Sequence, residues 1–260
     1  DVGEAVGIEF LRVRVHKGIW CDGGFLDPNI QLANLYAMKV SGVLTDRSIW
    51  NLDAVDRWIA PDDFIAEMTH NVRHRIQWNT PVTTVDDLPR PIISTVPMFV
   101  MARMLQTDFM SGQQFRHADI WVRRYKIPGA NVYQTIYFPS PATHVYRASI
   151  TGDVLIVESV GPDFDMSEVF AAFGISNPDN VGVEMMVDSH HQRYGKIAPI
   201  DETVRRQFIH HASTVHKIYS LGRFAIWKNV LMDDVLHDLS VVRRLLRSDN
   251  YYQNLINGEN

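Results

Sequence analysis

The chain has 260 residues, 46% of them hydrophobic and 21% charged, with a formal net charge of −5; that length allows one large domain or two smaller ones around a substantial core. The acidic balance argues against a general nucleic-acid binder, though not against a local basic face. Cys21 is the only cysteine, which excludes an intramolecular disulfide and fits a reducing, cytoplasmic setting, and neither a membrane-spanning stretch nor a signal peptide is visible.

In chain order, residues 8–15 alternate as a strand, and Asp22-Gly23-Gly24 after Ile19-Trp20 reads as a hairpin turn. Residues 28–60 are mixed and carry Trp50 and Trp58. Pro61, Asp62 and Asp63 mark a helix start, with proline in the first turn and acids at the positive end, and Phe64, Ile65 and Met68 are expected to point inward. Residues 91–97 read as a short strand running into a loop, followed by a helix over 98–105. Ala118–Tyr125, Val132–Phe138, Val145–Ile150 and Val154–Glu158 are short β-branched or aromatic runs between turn signals, as in an antiparallel meander. Asp165-Met166-Ser167-Glu168 has capping-box spacing for a helix ending near Gly174, and Val181–Val187 reads as another strand. Asp201 precedes an apolar stripe at Val204, Phe208, Ala212 and Val215. The terminal helix repeats the stripe at Val235, Leu239, Val242 and Leu246, with Arg243, Arg244 and Arg247 crowding its end and a polar tail that frays from Ser248.

The segment Tyr219-Ser220-Leu221-Gly222-Arg223-Phe224-Ala225-Ile226-Trp227, followed by Leu231-Met232-Asp233-Asp234, carries the most information. A short apolar strand reaches a Gly-Arg turn, and a helix opens after a brief loop. Glycine lets the backbone approach a flat ligand, the arginine fork suits a phosphate or ring carbonyl, and a helix N-terminus favours an electron-rich group. The pattern resembles the C-terminal flavin-binding segment of UDP-galactopyranose mutases and of the wider amine oxidase and protoporphyrinogen oxidase superfamily. That resemblance implies FAD as cofactor, with Gly222, Arg223, Phe224, Met232, Asp233 and Asp234 beside it. Ile93-Ser94-Thr95-Val96-Pro97 resembles the strand end that returns the chain to the FAD domain in amine oxidases, which adds Thr95 and Pro97.

The likeness extends over roughly residues 90–245. Asn131 to Phe138, then Pro141-Ala142-Thr143-His144-Val145-Tyr146-Arg147-Ala148-Ser149-Ile150, looks like the mutase stretch in which a strand is followed by Tyr-Thr-Arg-Ile. By position Arg147 matches the arginine that faces flavin and substrate there, and Tyr146 adjoins it. Lys196-Ile197-Ala198-Pro199-Ile200 is similar to the family's Tyr-Pro-Ile segment. No G-x-G-x-x-G fingerprint occurs in the sequence. The resemblance therefore implies a fragment that lacks the first βαβ unit and holds FAD weakly or not at all by itself. Only about thirty residues lie between Asn51 and Pro81, where mutases insert a long helical substrate domain. The compact form looks more like short bacteriophage FAD-dependent proteins of thymidine hypermodification, the main reason being the motif from Asp46 to Trp58.

These readings combine into a mixed α/β chain: a discontinuous, Rossmann-like FAD-binding domain with an antiparallel substrate-binding sheet. The expected division is residues 1–60 on the substrate side, 61–110 and 193–260 in the FAD domain, and 111–192 in the sheet. The expected activity is an FAD-dependent oxidoreductase or lyase acting on a C–N bond of an amine or amino-acid adduct. Arg147 and Tyr146 are its catalytic candidates, and Trp20, Trp50 and Tyr133 its substrate-stacking ones. The substrate is a small molecule or nucleotide, with modified DNA as one form. A mutase-like enzyme and a non-catalytic nucleotide- or protein-binding module are the alternatives. Neither His190-His191 nor His210-His211 has chelating spacing, so no metal site is expected.

Overall fold

The computed structural model describes residues 2–44 and 48–257, with side chains at all of these except 48, 187–189 and 249–257. In chain order the elements begin with α1 (Val2–Val6), β1 (Leu11–Cys21), β2 (Gly24–Leu26), α2 (Ile30–Ser41), β3 (Val55–Ile59), α3 (Phe64–Val72), β4 (Ile92–Ser94) and α4 (Met98–Met104). They continue with β5 (His117–Lys126), β6 (Val132–Tyr137), β7 (Val145–Gly152), β8 (Val154–Ser159), α5 (Ser167–Ala172) and α6 (Pro178–Val181). The chain closes with β9 (Glu184–Ile197), α7 (Glu202–Val215), β10 (Ile218–Ser220) and α8 (Met232–Asn257). Two compact units result, one of residues 1–9, 60–115 and 199–260, the other of residues 10–59 and 116–198.

The second unit is built on an eight-stranded mixed sheet in the order β2-β1-β6-β7-β8-β5-β9, with β3 also paired to β1. β1 is long enough to serve three partners: β3 along Leu11–Val15, β6 in parallel along His16–Ile19, and β2 along Ile19–Cys21. Asp22-Gly23, both at positive φ, turn the β1–β2 hairpin. Side chains alternate across the sheet, so each face builds its own core. On one face, Leu32, Ala33, Tyr36 and Val40 of α2 pack on Ile19, Cys21, Ile120, Val122, Tyr137 and Tyr146. On the other, Val169 and Ala172 of α5 pack on Ile136, Ala148, Ile150, Leu155 and Val157. Burying such a side chain stabilises by about 1.5–3 kcal/mol.

Gly195 shows how tightly β9 is set against β5. A Cβ built there would lie 2.3 Å from Ile120 Cγ1, and Ile120 is itself buried in the α2 core. The register slips beside it, between Ala118 and Ile120. Gly195→Ala is therefore expected to lower stability by about 1–3 kcal/mol through overpacking, read as a shift in the urea midpoint. An unchanged midpoint would show that Ile120 moves aside at no cost.

In the first unit β4 and β10 pair in parallel, Ile92 with Ile218 through Ser94 with Ser220. Phe208 and Ala212 of α7 are fully buried. Trp227 is also buried, with its ring edge-on to Phe99 and Phe115 at centroid distances of 5.8 and 4.9 Å. Asp201 caps α7 by accepting from the Val204 N–H at 2.9 Å, as its place before the apolar stripe suggests.

Several expectations are corrected. α3 buries none of its residues, and Ile65 is 70% exposed. β5 lies beside β8 and not beside β6, so only β6, β7 and β8 form a meander. The strand expected at Val181–Val187 starts at Glu184, because Asn177 caps a short helical turn at Pro178–Val181, and it runs on to Ile197. The expected capping box at Asp165 is not made: α5 has no side-chain cap at Met166, and Asp165 instead accepts from the Ser167 N–H. Val215 ends its stripe 63% exposed. α8 continues through Asn257, which places Arg243, Arg244 and Arg247 in mid-helix. Within residues 28–60, α2 and β3 went unread. No helix among the described residues is long and apolar enough to cross a membrane.

Candidate functional site

In the first unit the structure brings five of the proposed cofactor residues together at the carboxyl ends of two parallel strands. The Leu221 N–H donates to Ser94 O at 2.9 Å, and the Met98 N–H donates to Phe224 O at 2.9 Å. The Gly222-Arg223-Phe224 turn after β10 is thereby tied to Thr95 and Pro97 after β4. Thr95 is exposed, and Pro97 precedes the first turn of α4. The carboxyl ends of parallel strands are where open α/β sheets bind ligands. Gly222 has φ +83°, and nothing lies within 4 Å of a Cβ built there. The turn thus needs glycine for its backbone and leaves open space above it. The Arg223 guanidinium lies 5.1 Å from the Phe224 ring centroid.

Met232, Asp233 and Asp234 open α8 and are exposed. Asp234 Oδ2 accepts from the Leu231 N–H at 2.8 Å, reaching back as the third residue of a capping box does. Asp234 also lines a cleft of about 380 Å³ between α7, β10 and α8, together with Arg205, Ser220, Lys228 and His237. Arg205 is held there by both Glu202 oxygens, at 2.7 and 2.8 Å, and by Ile226 O at 3.0 Å.

In the second unit a β-bulge organises the proposed catalytic pair. Val145 pairs with Ser159 and Arg147 with Glu158, which leaves Tyr146 as the extra residue. A bulge breaks strict alternation and re-aims side chains, so the neighbours Tyr146 and Arg147 both reach Glu158. The Tyr146 hydroxyl donates to Glu158 Oε1 at 2.9 Å, and Arg147 Nε donates to Glu158 Oε2. The Tyr146 ring is fully buried, edge-on to Tyr36, with Lys196 Nζ 5.2 Å from its centroid.

The electrostatics follow from this burial. Burial works against the Glu158 charge, but the Arg147 guanidinium outweighs it and holds the carboxyl below the usual range. Burial also opposes the Arg147 charge, and Glu158 reverses that, so Arg147 stays protonated. Burial, then the Glu158 charge, pushes the Tyr146 hydroxyl well above its ordinary value.

The substrate-stacking candidates separate. Tyr133 lies on the face of Tyr137 and Tyr146, two residues along β6 from Thr135, whose hydroxyl meets that of Ser149 at 3.0 Å. Trp20 belongs to the opposite face: it packs on the α5 core, edge-on to Phe25 at 5.1 Å, and so does not join Arg147. Trp50 is 46% exposed on a 3-10 turn whose neighbour Ile49 is buried in the α2 core. Asp46 and Arg47 of the motif around it lie outside the described residues.

Sequence reasoning missed Glu158 and Lys39. Glu158 was read only as the end of a strand, and nothing local announces a partner eleven residues from Arg147. Lys39 sits in the last turn of α2, where Nζ donates to Phe138 O, Ser140 O and Val145 O at 2.8, 2.7 and 2.5 Å. Burial lowers its pKa to about 8, against the pull of Glu168 and Cys21. Of the histidines, His191 stacks on Trp121 at 4.9 Å and meets Asp119 at 2.8 Å.

A large mixed sheet in one unit and a parallel strand pair ending in a Gly-Arg turn in the other define a mixed α/β fold. Among solved structures, the chain is similar to one described as the crystal structure of reduced UDP-galactopyranose mutase, with a TM-score of 0.52. The two share 12% identity over 88% of this chain and 75% of that chain. No protein-family model and no curated protein sequence matches the chain.

Proposed function

We propose that this chain is part of an FAD-dependent oxidoreductase or lyase that opens a C–N bond of an amine or amino-acid adduct. The observation that carries the reading is the meeting of Gly222-Arg223-Phe224 with Thr95 and Pro97 at the carboxyl ends of β4 and β10. The open space over Gly222 fits a flat ring, and α8 opens a few residues downstream. These residues would hold the ring side of FAD. The G-x-G-x-x-G pattern that marks a pyrophosphate-binding turn does not occur in the sequence. When bound, the flavin supplies a two-electron acceptor. That acceptor would take the hydride of the carbon bearing the amine while the nitrogen gives up a proton, which is the chemistry that lets water open the C–N bond. Arg147 binds the carboxylate of the adduct through its fork. The motif running from Asp46 to Trp58 favours a nucleobase adduct, such as a hypermodified thymidine in phage DNA, as that substrate.

The likeness to the mutase structure favours a second reading, isomerisation of a UDP-sugar. The segment from Asn51 to Pro81 argues against it, since it forms only β3, α3 and short turns. Turnover of UDP-galactopyranose would decide for the mutase.

The cofactor reading is tested at Gly222. Gly222→Val puts a β-branched side chain into the open space and at a positive φ, where it is strained by about 1–3 kcal/mol. FAD affinity, measured by equilibrium dialysis and flavin absorbance, is expected to fall at least about tenfold, which is about 1.4 kcal/mol. Gly222→Ala, with a smaller side chain, should fall between wild type and valine. Unchanged FAD affinity in a folded valine variant would move the flavin away from this turn.

A further inference from the structure

The buried node on β7 and β8 has a consequence for ligand selection. Glu158 is the most enclosed charge of the node: its side chain is 13% exposed, whereas that of Arg147 is 32% exposed. Its two oxygens are divided between two residues, Oε1 for the Tyr146 hydroxyl and Oε2 for Arg147 Nε. A carboxylate that gripped the arginine through two parallel bonds would occupy at least one terminal nitrogen of the fork. Glu158 takes the inner nitrogen instead, and the accessible part of the side chain is left for something else.

We infer that Glu158 is a positioning residue that aims the terminal Nη edge of Arg147 at a ligand carboxylate. The inference rests on the reading of Arg147 as a carboxylate anchor. Three observations converge on it. The bulge at Tyr146 places two consecutive side chains on one acceptor, which regular alternation would forbid. The Tyr146 ring is fully buried and edge-on to Tyr36, so the hydroxyl that holds Oε1 is itself fixed. Glu158, engaged on both oxygens, has little freedom to follow Arg147 if the arginine turns. The arrangement is the pre-organisation that lowers the ordering cost of binding. The neighbouring face supplies hydroxyls at Thr135 and Ser149 but no second carboxylate among the described residues of β6 and β7. The ligand class is one that carries a carboxylate, of which an α-amino acid group is the case the proposed function requires, and not a bare amine.

The experiment uses the full chain labelled with ¹⁵N-arginine and observes the Arg147 Nε–H signal, assigned by its loss in Arg147→Lys. Glycine is the probe, and ethanolamine, which keeps the amine and lacks the carboxylate, is the control. In wild type the Nε–H signal is expected to be shifted and slow to exchange, and to respond to glycine but not to ethanolamine. Glu158→Gln keeps the size of the side chain and removes its charge. It is expected to move the Nε–H signal toward that of free arginine and to weaken the glycine response at least tenfold. Glu158→Asp should recover part of both. Tyr146→Phe, which frees one oxygen of Glu158, should weaken the glycine response less than Glu158→Gln. A glycine response unchanged in a folded Glu158→Gln variant overturns the positioning role alone. A stronger response in that variant also overturns it, because Glu158 would then be a competitor for the fork. A wild type whose Nε–H signal depends on Glu158 but ignores glycine overturns the carboxylate-anchor reading itself.

Discussion

Replacing Arg147 by lysine is expected to slow anaerobic flavin reduction by an amino-acid adduct at least about 30-fold while leaving the flavin content of the protein unchanged. Lysine keeps the charge but presents a point-like ammonium in place of a planar fork. It cannot give one nitrogen to Glu158 and two to a carboxylate. Losing one partner of a desolvated charged pair costs about 2–5 kcal/mol, which is roughly 30-fold to several thousand-fold in rate. The loss should fall on the adduct and spare a substrate without a carboxylate, whose binding does not use the fork. Stopped-flow absorbance of the FAD-loaded full-length protein, with each substrate in turn, checks this. Equal loss on both substrates would mean that Arg147 shapes the sheet and does not read the carboxylate. Loss of FAD from the variant would assign it a role in holding the cofactor.

Local signals in the sequence carried much of the fold. β5 to β8 were legible because each is a β-branched run bounded by Pro, Gly or Asp turn residues. Asp201 announced α7 because its carboxylate does what an N-cap does. The pairing order was not legible. Each of the strands reads alike, and the pairing of β5 with β8 joins segments about thirty residues apart while β6, its nearest strand in sequence, pairs elsewhere. The start of β9 is hard to place because Val181 looks like a strand residue, while Asn177 and Pro178 one turn earlier dictate a helical turn.

The candidate site divides in the same way. The Gly-Arg turn is contiguous and could be read directly. The node around Arg147 depends on a bulge, which is a mismatch between two strands and leaves no mark on either. Trp20 is ambiguous in the sequence because an aromatic residue beside a hairpin reads equally as a stacking surface or as core. Its indole Nε1 is buried with no hydrogen-bond partner among the described residues, which agrees with packing against the α5 core.

Lys39 offers the second large effect, and it bears on the same node from behind. Its ammonium joins the end of α2 to the loop from Phe138 to Val145, which leads directly into the Tyr146 bulge. Lys39→Met keeps the length of the side chain and removes all three donors. A buried carbonyl left without its donor costs about 1–3 kcal/mol, and water entering the loop will recover some of it, so the expected loss is about 3–5 kcal/mol. The pH dependence has a definite sign. The folded-state pKa is about 8, below the ordinary 10.5, so the native state gives up this proton first. Between those values the unfolded chain holds more protons, and stability rises with pH. Below about pH 8 both states are protonated and the effect is constant. The wild type should therefore gain on Lys39→Met as pH rises from 7 to 9.5, measured as the gap between their urea midpoints. A gap that narrows over that range would show that the three carbonyls hold the ammonium strongly enough to raise its pKa. A gap near zero at both pH values would mean that the loop is held by other contacts and that α2 does not brace the bulge.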